Sequence, residues 1–338
     1  MALPRRGQRG SCQRSTWKRW ATTGSSGHEL VVEANEQYWR KTPSVRTLIV
    51  RSVPDDSTRL AMLKRGEADI VYNFRGALAE EVRRTPGLTL KPHYLPLTFW
   101  YVFTEQWNPR SPWADRRVRL AANLAIDRQT INQAETLGFS KLTASMIPQS
   151  FEGYWPAPLY THDVQRAKQL LTEAGYPNGF DAGTIFVDAT IGSFAEAVAG
   201  YWGAVGIRAT IRPLERAAFS KEYGEKRLKH VVQSTSAAFG NAATRLDAFV
   251  AGGGLFTYGT YPDIEGLIRE QSTELDRGKR EAILHRVQQL IHERVMYAPL
   301  MEPAILAGYG PRVAESAIGL ITNMAASAPY EELRLKGK

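Results

Sequence analysis

The sequence predicts an α/β fold of mixed sheets flanked by helices, and three observations carry that prediction. Runs rich in β-branched residues alternate with segments of helical period, once over 45–73 and again over 184–211. A glycine follows each helical segment, Gly66 and Gly206, where the chain must turn back into a strand. Hydrophobic content of 43% and charge of 23% are those of an ordinary globular chain, and 338 residues allow about two domains.

Residues 1–27 stand apart. They hold six basic residues and no acid, so they supply +6 of the formal +9 and leave the remainder near +3. Arg, Gly, Ser and Thr dominate, and a disordered basic tail is expected. Cys12, the single cysteine, excludes an internal disulfide and a cysteine metal cluster. No apolar stretch follows the basic start, so no secretory signal is expected in this chain. The body lacks a basic stripe with interleaved aromatics, and nucleic acid is not an expected partner.

Order is expected from a strand at Glu29–Glu33. Val45–Val53 predicts a second strand, Ser57 a helix cap with Leu60 and Leu63 inward, and Ala68–Tyr72 a strand paired parallel to 45–53. A helix at 77–84 ends before Pro86-Gly87, and Leu88–Leu90 reads as an edge strand. Over 94–104, alternation places Phe99, Tyr101 and Phe103 on one strand face and Trp100 and Val102 on the other.

At Asn108–Arg128 a loop stops on Asp115, which can cap a helix whose Val118, Ala121, Ala122 and Ala125 share one small apolar face. Asp127 can cap a second helix carrying Ile131, and Asp163 a third with Ala167, Leu170 and Leu171 inward. A second β-α-β unit takes Thr184–Asp188, a stripe of Phe194, Ala197, Val198, Tyr201 and Val205, and Ile207–Ile211. A short helix carries Phe219 and Tyr223, and Val231–Ser234 is a strand. Residues 235–262 show no period and read as a long irregular loop of the kind that carries function. Helices follow at about 263–273 and 278–297, the second with Ile283, Val287, Leu290 and Ile291 inward. Ala304–Ile321 alternates enough for two strands that return to the first sheet.

The string Pro112-Trp113, Asp115, Arg117-Val118-Arg119, Ala121, Ala125-Ile126-Asp127-Arg128 resembles a signature of the family 5 extracellular solute-binding proteins, with Trp113 for the usual Phe. Leu63-Lys64-Arg65-Gly66-Glu67-Ala68-Asp69 and Asp163 through Tyr176 resemble two further motifs of that family. The resemblance implies a two-lobed periplasmic-binding-protein fold of class II type and non-covalent capture of a peptide-like or other small solute. Delivery to the permease subunits of an ABC importer, by a monomer in the periplasm or outside the cell, is implied with it. It covers about residues 28–325 and corresponds to the later part of the family sequence. The first lobe is therefore expected to be incomplete and the chain N-terminally truncated. The expected division is 1–27 tail, 28–103 partial first lobe, 104–300 second lobe and 301–338 return segment.

No catalytic constellation is present. The sequence lacks Gly-x-x-x-x-Gly-Lys, Gly-x-Gly-x-x-Gly after a strand and Gly-x-Ser-x-Gly. Glu281, His285 and His292 share a helix face opposite the apolar stripe, where a solvated face is expected rather than a metal site. No enzyme activity, cofactor or metal is expected. A peptide-like ligand needs strand-like pairing, roomy pockets and opposite charges for its termini. Residues 235–262 offer aromatic walls in Phe239, Phe256 and Tyr258, an amide in Asn241, and the charges Arg245 and Asp247. Asp247 is the position that the resemblance matches to an aspartate receiving a ligand amine, although Ser236-Ala237-Ala238-Phe239-Gly240 replaces the usual tryptophan-and-aspartate spacing. Arg245 and Asp247 could equally bond each other on a surface turn. Trp100 and Tyr101 are secondary ligand-binding candidates. The rival function class is a non-transport remnant acting as an interaction or sensory module through the basic tail.

Overall fold

The computed structural model describes residues 17–19, 29–321 and 328–337. Most of the expected basic tail, with Cys12, lies outside the described residues. The chain divides into two units, 1–93 with 305–338, and 94–304.

In the first unit, β1 (Trp17–Arg19), β2 (Glu29–Ala34) and β3 (Thr47–Arg51) form an antiparallel sheet in that order. β1 falls inside the stretch expected to be disordered, and pairs Trp17 with Ala34 and Arg19 with Val32. Helix α1 (Asp56–Arg65) is capped by Asp55, which accepts from the amide of Thr58, and not by Ser57. Its Leu60 and Leu63 are buried and Gly66 takes the left-handed position at φ 71°. β4 (Ile70–Phe74), α2 (Gly76–Arg84) and β5 (Thr89–Tyr94) follow. The expected parallel pairing of 45–53 with 68–72 does not form. β3 is already paired antiparallel to β2, while β4 lies in a separate sheet.

The second unit is a three-layer α/β/α body. Its strands are β6 (Thr98–Phe103), β7 (Lys141–Leu142), β8 (Phe180–Asp188), β9 (Ile207–Leu214), β10 (Val231–Ser236) and β11 (Tyr297–Glu302). They lie in the order β7-β11-β6-β10-β8-β9. β10, β8 and β9 run parallel, and β6 runs antiparallel to both of its neighbours. β6 is therefore central and buried along its whole length. Its alternation separates two cores as expected. Phe99, Tyr101 and Phe103 join α3 (Arg116–Ala125), α5 (Val164–Glu173) and α6 (Gly192–Ala204) on one side. Trp100 and Val102 join α7 (Arg216–Gly224), α8 (Ala242–Phe249), α9 (Pro262–Thr273) and α10 (Arg277–Glu293) on the other. α4 (Arg128–Thr136) follows α3 on its own cap, Asp127.

The Asn108–Arg128 stretch acts as a fastening. Asp115 caps α3 by accepting from the amide of Arg117, and Val118, Ala121, Ala122 and Ala125 are fully buried. Trp113 stacks on Phe103 at 4.5 Å and meets Phe180 edge-on at 5.3 Å. Arg119, buried, donates to the carbonyls of Trp113, Ala114, Arg294 and Val295 at 2.6–2.9 Å. Asn123 reaches the carbonyl of Tyr297, and Arg128 that of Pro299. Three side chains of one segment thus hold the carbonyls leading into and along β11. Pro299 has no N–H for the ladder, and the register of β11 slips between Pro299 and Met301.

Two expectations in this unit change. Residues 235–262 are not one loop, because Ala242–Phe249 is helical, with Ala242, Leu246 and Phe249 buried. On α10, Leu284 faces the core in place of Ile283. The Glu281, His285 and His292 face is partly solvated: Glu281 is exposed, while the half-buried His292 stacks on Tyr160 at 4.8 Å and the half-buried His285 bonds the carbonyl of Tyr154.

From Ile305 the chain returns to the first unit. β12 (Ala304–Tyr309) inserts between β4 and β5, so the expected return to the early strands is observed. β13 (Val313–Glu315) pairs with β14 (Arg334–Leu335), and Lys41 and Arg40 meet Glu332 and Glu331. No helix among the described residues is long and apolar enough to cross a membrane.

Candidate functional site

The parallel strands of the 94–304 unit finish at one end of the sheet. There β8 ends at Asp188 and β10 at Ser236, while β6 begins at Thr98 and β11 ends at Glu302. In an open α/β sheet the carboxyl ends of the parallel strands are where loops leave room for a ligand.

Arg245 is the buried cation on the Trp100 side of this end. It is 3% exposed, and its guanidinium donates to the carbonyl of Ser236 at 2.9 Å and to those of Ala238 and Pro96 at 3.4 Å. The rings of Phe151, Trp100 and Phe249 surround it at 5.3–5.9 Å. Burial draws its pKa down to about 10, so it stays charged at neutral pH. Glu302, also buried, accepts from the amide of Gln149 at 2.6 Å. Burial raises its pKa, opposed by that N–H and by Lys141. On the Trp100 face the Thr98 hydroxyl and the Trp100 indole N–H have no hydrogen-bond partner among the described residues; the Thr235 hydroxyl and both ends of the Gln233 amide also lack one, but they pair with Phe99 and Tyr101 and so lie on the other face of the sheet. Gln233 is wholly buried. Unmet buried polar groups are costly and are rarely left so without use.

The sequence-derived candidates distribute as follows. Trp100 lies against Arg245, with its indole N–H unpartnered. Tyr101 points to the opposite face of the sheet, where its hydroxyl donates to the carbonyl of Phe194 at 3.1 Å. Asn241 caps α8 by accepting from the amide of Thr244, and the Thr244 hydroxyl accepts from the Asn241 amide in return. Phe239, 60% exposed, stands on the loop that Arg245 fastens. Asp247 is two positions from Arg245 on α8, so the two side chains diverge, and they form no ion pair among the described residues. Burial raises the pKa of Asp247, with Arg280 opposing and Glu265 adding to the shift. Tyr258 packs on Tyr223 and lines a depression beside Thr104, at the other end of β6. The structure therefore gathers Trp100, Arg245 and Phe239 and leaves Asp247, Tyr258 and Tyr101 elsewhere.

Sequence reasoning passed over Gln233, Thr98 and Glu302. Their signal was a polar residue inside an otherwise apolar strand, as in Val231-Val232-Gln233 and Leu300-Met301-Glu302. Nothing at this end is a nucleophile beside a base. Among the described residues no group of three acidic, histidine or cysteine side chains could hold a metal ion. What the arrangement offers is hydrogen bonding and one buried positive charge.

A family model, the bacterial extracellular solute-binding proteins, family 5 (middle), matches residues 20–256. The chain belongs to that family. Family 5 relatives include Heme-binding protein A of Haemophilus influenzae, 24% identical over 292 residues, which are 83% of this chain and 53% of the relative. A probable di/tripeptide-binding protein of Pseudomonas aeruginosa is 26% identical over 81% of this chain and 53% of its own length. The chain thus spans about half the length of these curated relatives. In fold it matches NikA of Brucella suis, solved in complex with Fe(III)-EDTA, at a TM-score of 0.82 and 20% identity, over 95% of this chain and 68% of that one. The family 5 signature accounts for the α3–α4 fastening, and the two-lobed α/β architecture agrees with these neighbours.

Proposed function

We propose that this chain is the solute-capturing component of an ABC importer and works outside the cytoplasmic membrane. It binds a peptide-like or other small solute without covalent chemistry and passes it to permease subunits. Family 5 membership over residues 20–256 is the observation that carries this reading. The strand-end site supports it. A buried guanidinium and the unmet Thr98 hydroxyl and Trp100 indole N–H suit recognition of a polar solute, and no residue there is set up to break a bond. The solute meets Trp100, Phe239 and the Ser236–Asn241 loop. Asp247 remains the position assigned to a ligand amine, from the flank of α8.

A thermal-shift and calorimetric screen with di- and tripeptides, sugars, haem and nickel tests the reading. A ligand at a hundred times its dissociation constant adds about 2.7 kcal/mol of stability. No saturable binding to any class would overturn capture of these solutes by this chain. If a peptide binds and Asp247→Ala leaves its affinity unchanged, the amine does not sit at Asp247.

A further inference from the structure

At the opposite end of β6 the second unit has a depression of about 360 Å³ that the strand-end site does not use. Trp107, Asn108, Glu105, Tyr258, Lys226 and Lys229 line it. Trp107 is held in place as its floor. Its ring packs on Tyr261 at 4.9 Å and so closely over Gly259 that a Cβ there would come within 2.5 Å of the indole. The loop bearing the lysines is tied to the end of β6, because Thr104 donates to the carbonyl of His230 through both its amide and its hydroxyl.

Lys226 and Lys229 are exposed and form no ion pair among the described residues. Lys226 also occupies an unusual backbone position. At φ 58° it is the left-handed residue that closes α7, its amide donating to the carbonyl of Tyr223 while Arg227 donates to that of Glu222. Glycine is the ordinary occupant there, since a side chain strains the conformation. Residue positions held under such strain collect at ligand sites, where the side chain is needed. Glu105, half-buried on the wall, brings the local charge from +2 to +1.

We infer that this depression is a second binding site, for a small monoanionic carboxylate with a flat apolar body. The ring lies against Trp107 and Tyr258, and the carboxylate meets the two ammonium groups. Glu105 repels a second negative charge and so selects against dianions. The site lies in a different place from the solute site and does not depend on that proposal.

Benzoate is the probe, titrated by calorimetry and ligand-observed NMR against the whole chain, with benzamide and phthalate as controls. Saturable benzoate binding is expected, with benzamide and phthalate each at least tenfold weaker. Lys226→Gly with Lys229→Gln is expected to weaken benzoate at least tenfold. Lys226→Gly alone should raise the unfolding midpoint by a few degrees, because it relieves the left-handed strain. Absence of saturable benzoate binding, unchanged affinity in the folded double variant, equal binding of benzamide, or a lower midpoint for Lys226→Gly would each overturn the inference.

Discussion

Replacing Arg245 by methionine tests whether the strand-end site is held together by one buried charge. The guanidinium makes one short charge-assisted bond, to the Ser236 carbonyl at 2.9 Å, and two long ones at 3.4 Å. A bond to a charged group contributes about 1.5–3 kcal/mol, and the 3.4 Å bonds contribute little. Three ring contacts at 5.3–5.9 Å add about 0.5–1 kcal/mol each. Methionine keeps part of that through sulfur–ring contact and removes the cost of burying a charge. The net loss expected is about 2–4 kcal/mol. Urea unfolding followed by circular dichroism reads it as a lower midpoint at constant slope in the transition of the 94–304 unit. Arg245→Lys keeps the charge but not the fork, and should fall between methionine and wild type. Loss of the Ser236 and Ala238 contacts also frees the loop carrying Phe239, so affinity for a captured solute should fall with stability. If Arg245→Met unfolds within about 0.5 kcal/mol of wild type, the guanidinium does not hold this end of the sheet, and the site as assembled above is wrong.

Other substitutions probe the same frame. Burial raises the pKa of Glu302 above its ordinary 4.5, so the folded state binds more protons than the unfolded one between those two values, and stability falls as pH rises through that window. Glu302→Gln should flatten this slope in unfolding curves taken from pH 4 upward, and an unchanged slope would assign it to other groups. Gly179→Ala places a Cβ 1.9 Å from the Gly206 carbonyl at a φ of +72°, and should cost about 3 kcal/mol or more in chemical denaturation. Asn241→Ala removes the α8 cap and should cost about 1 kcal/mol, while Asn241→Gly should cost only a few tenths.

Local geometry was the legible part of this chain. Asp115, Asp127 and Asp163 cap helices because a side chain and an amide two or three residues away decide the matter, and both are visible in sequence. The two faces of β6 follow from strict alternation. The parallel pairing of 45–53 with 68–72 failed for the converse reason. Which strands pair depends on β2 and β12, and β12 lies more than 200 residues away. Helix α8 was hidden by its setting. Ala242, Leu246 and Phe249 keep the period of a buried face, but Ser, Gly and Asn precede them and Arg245 interrupts the stripe with a charge that turns out to be buried.

The same distinction explains why the strongest motif says least about the ligand. Arg119, Asn123 and Arg128 are recognisable together because all three must reach one run of carbonyls, 294–299, and that requirement fixes their spacing on adjoining helices. A ligand site has no such requirement. Thr98, Arg245 and Glu302 come from three separate segments and reach one end of the sheet only because β6 runs opposite to both β10 and β11 and α8 follows β10. No single run of backbone fixes their spacing, so a family can keep its frame while its members change solute. Asn241 illustrates the confusion this produces: its amide looked like a ligand contact, and its structural work is done within three residues, on Thr244. Substrate choice in this chain should therefore respond to Trp100 and Phe239, on the Arg245 side of the sheet, and not to the capping residues.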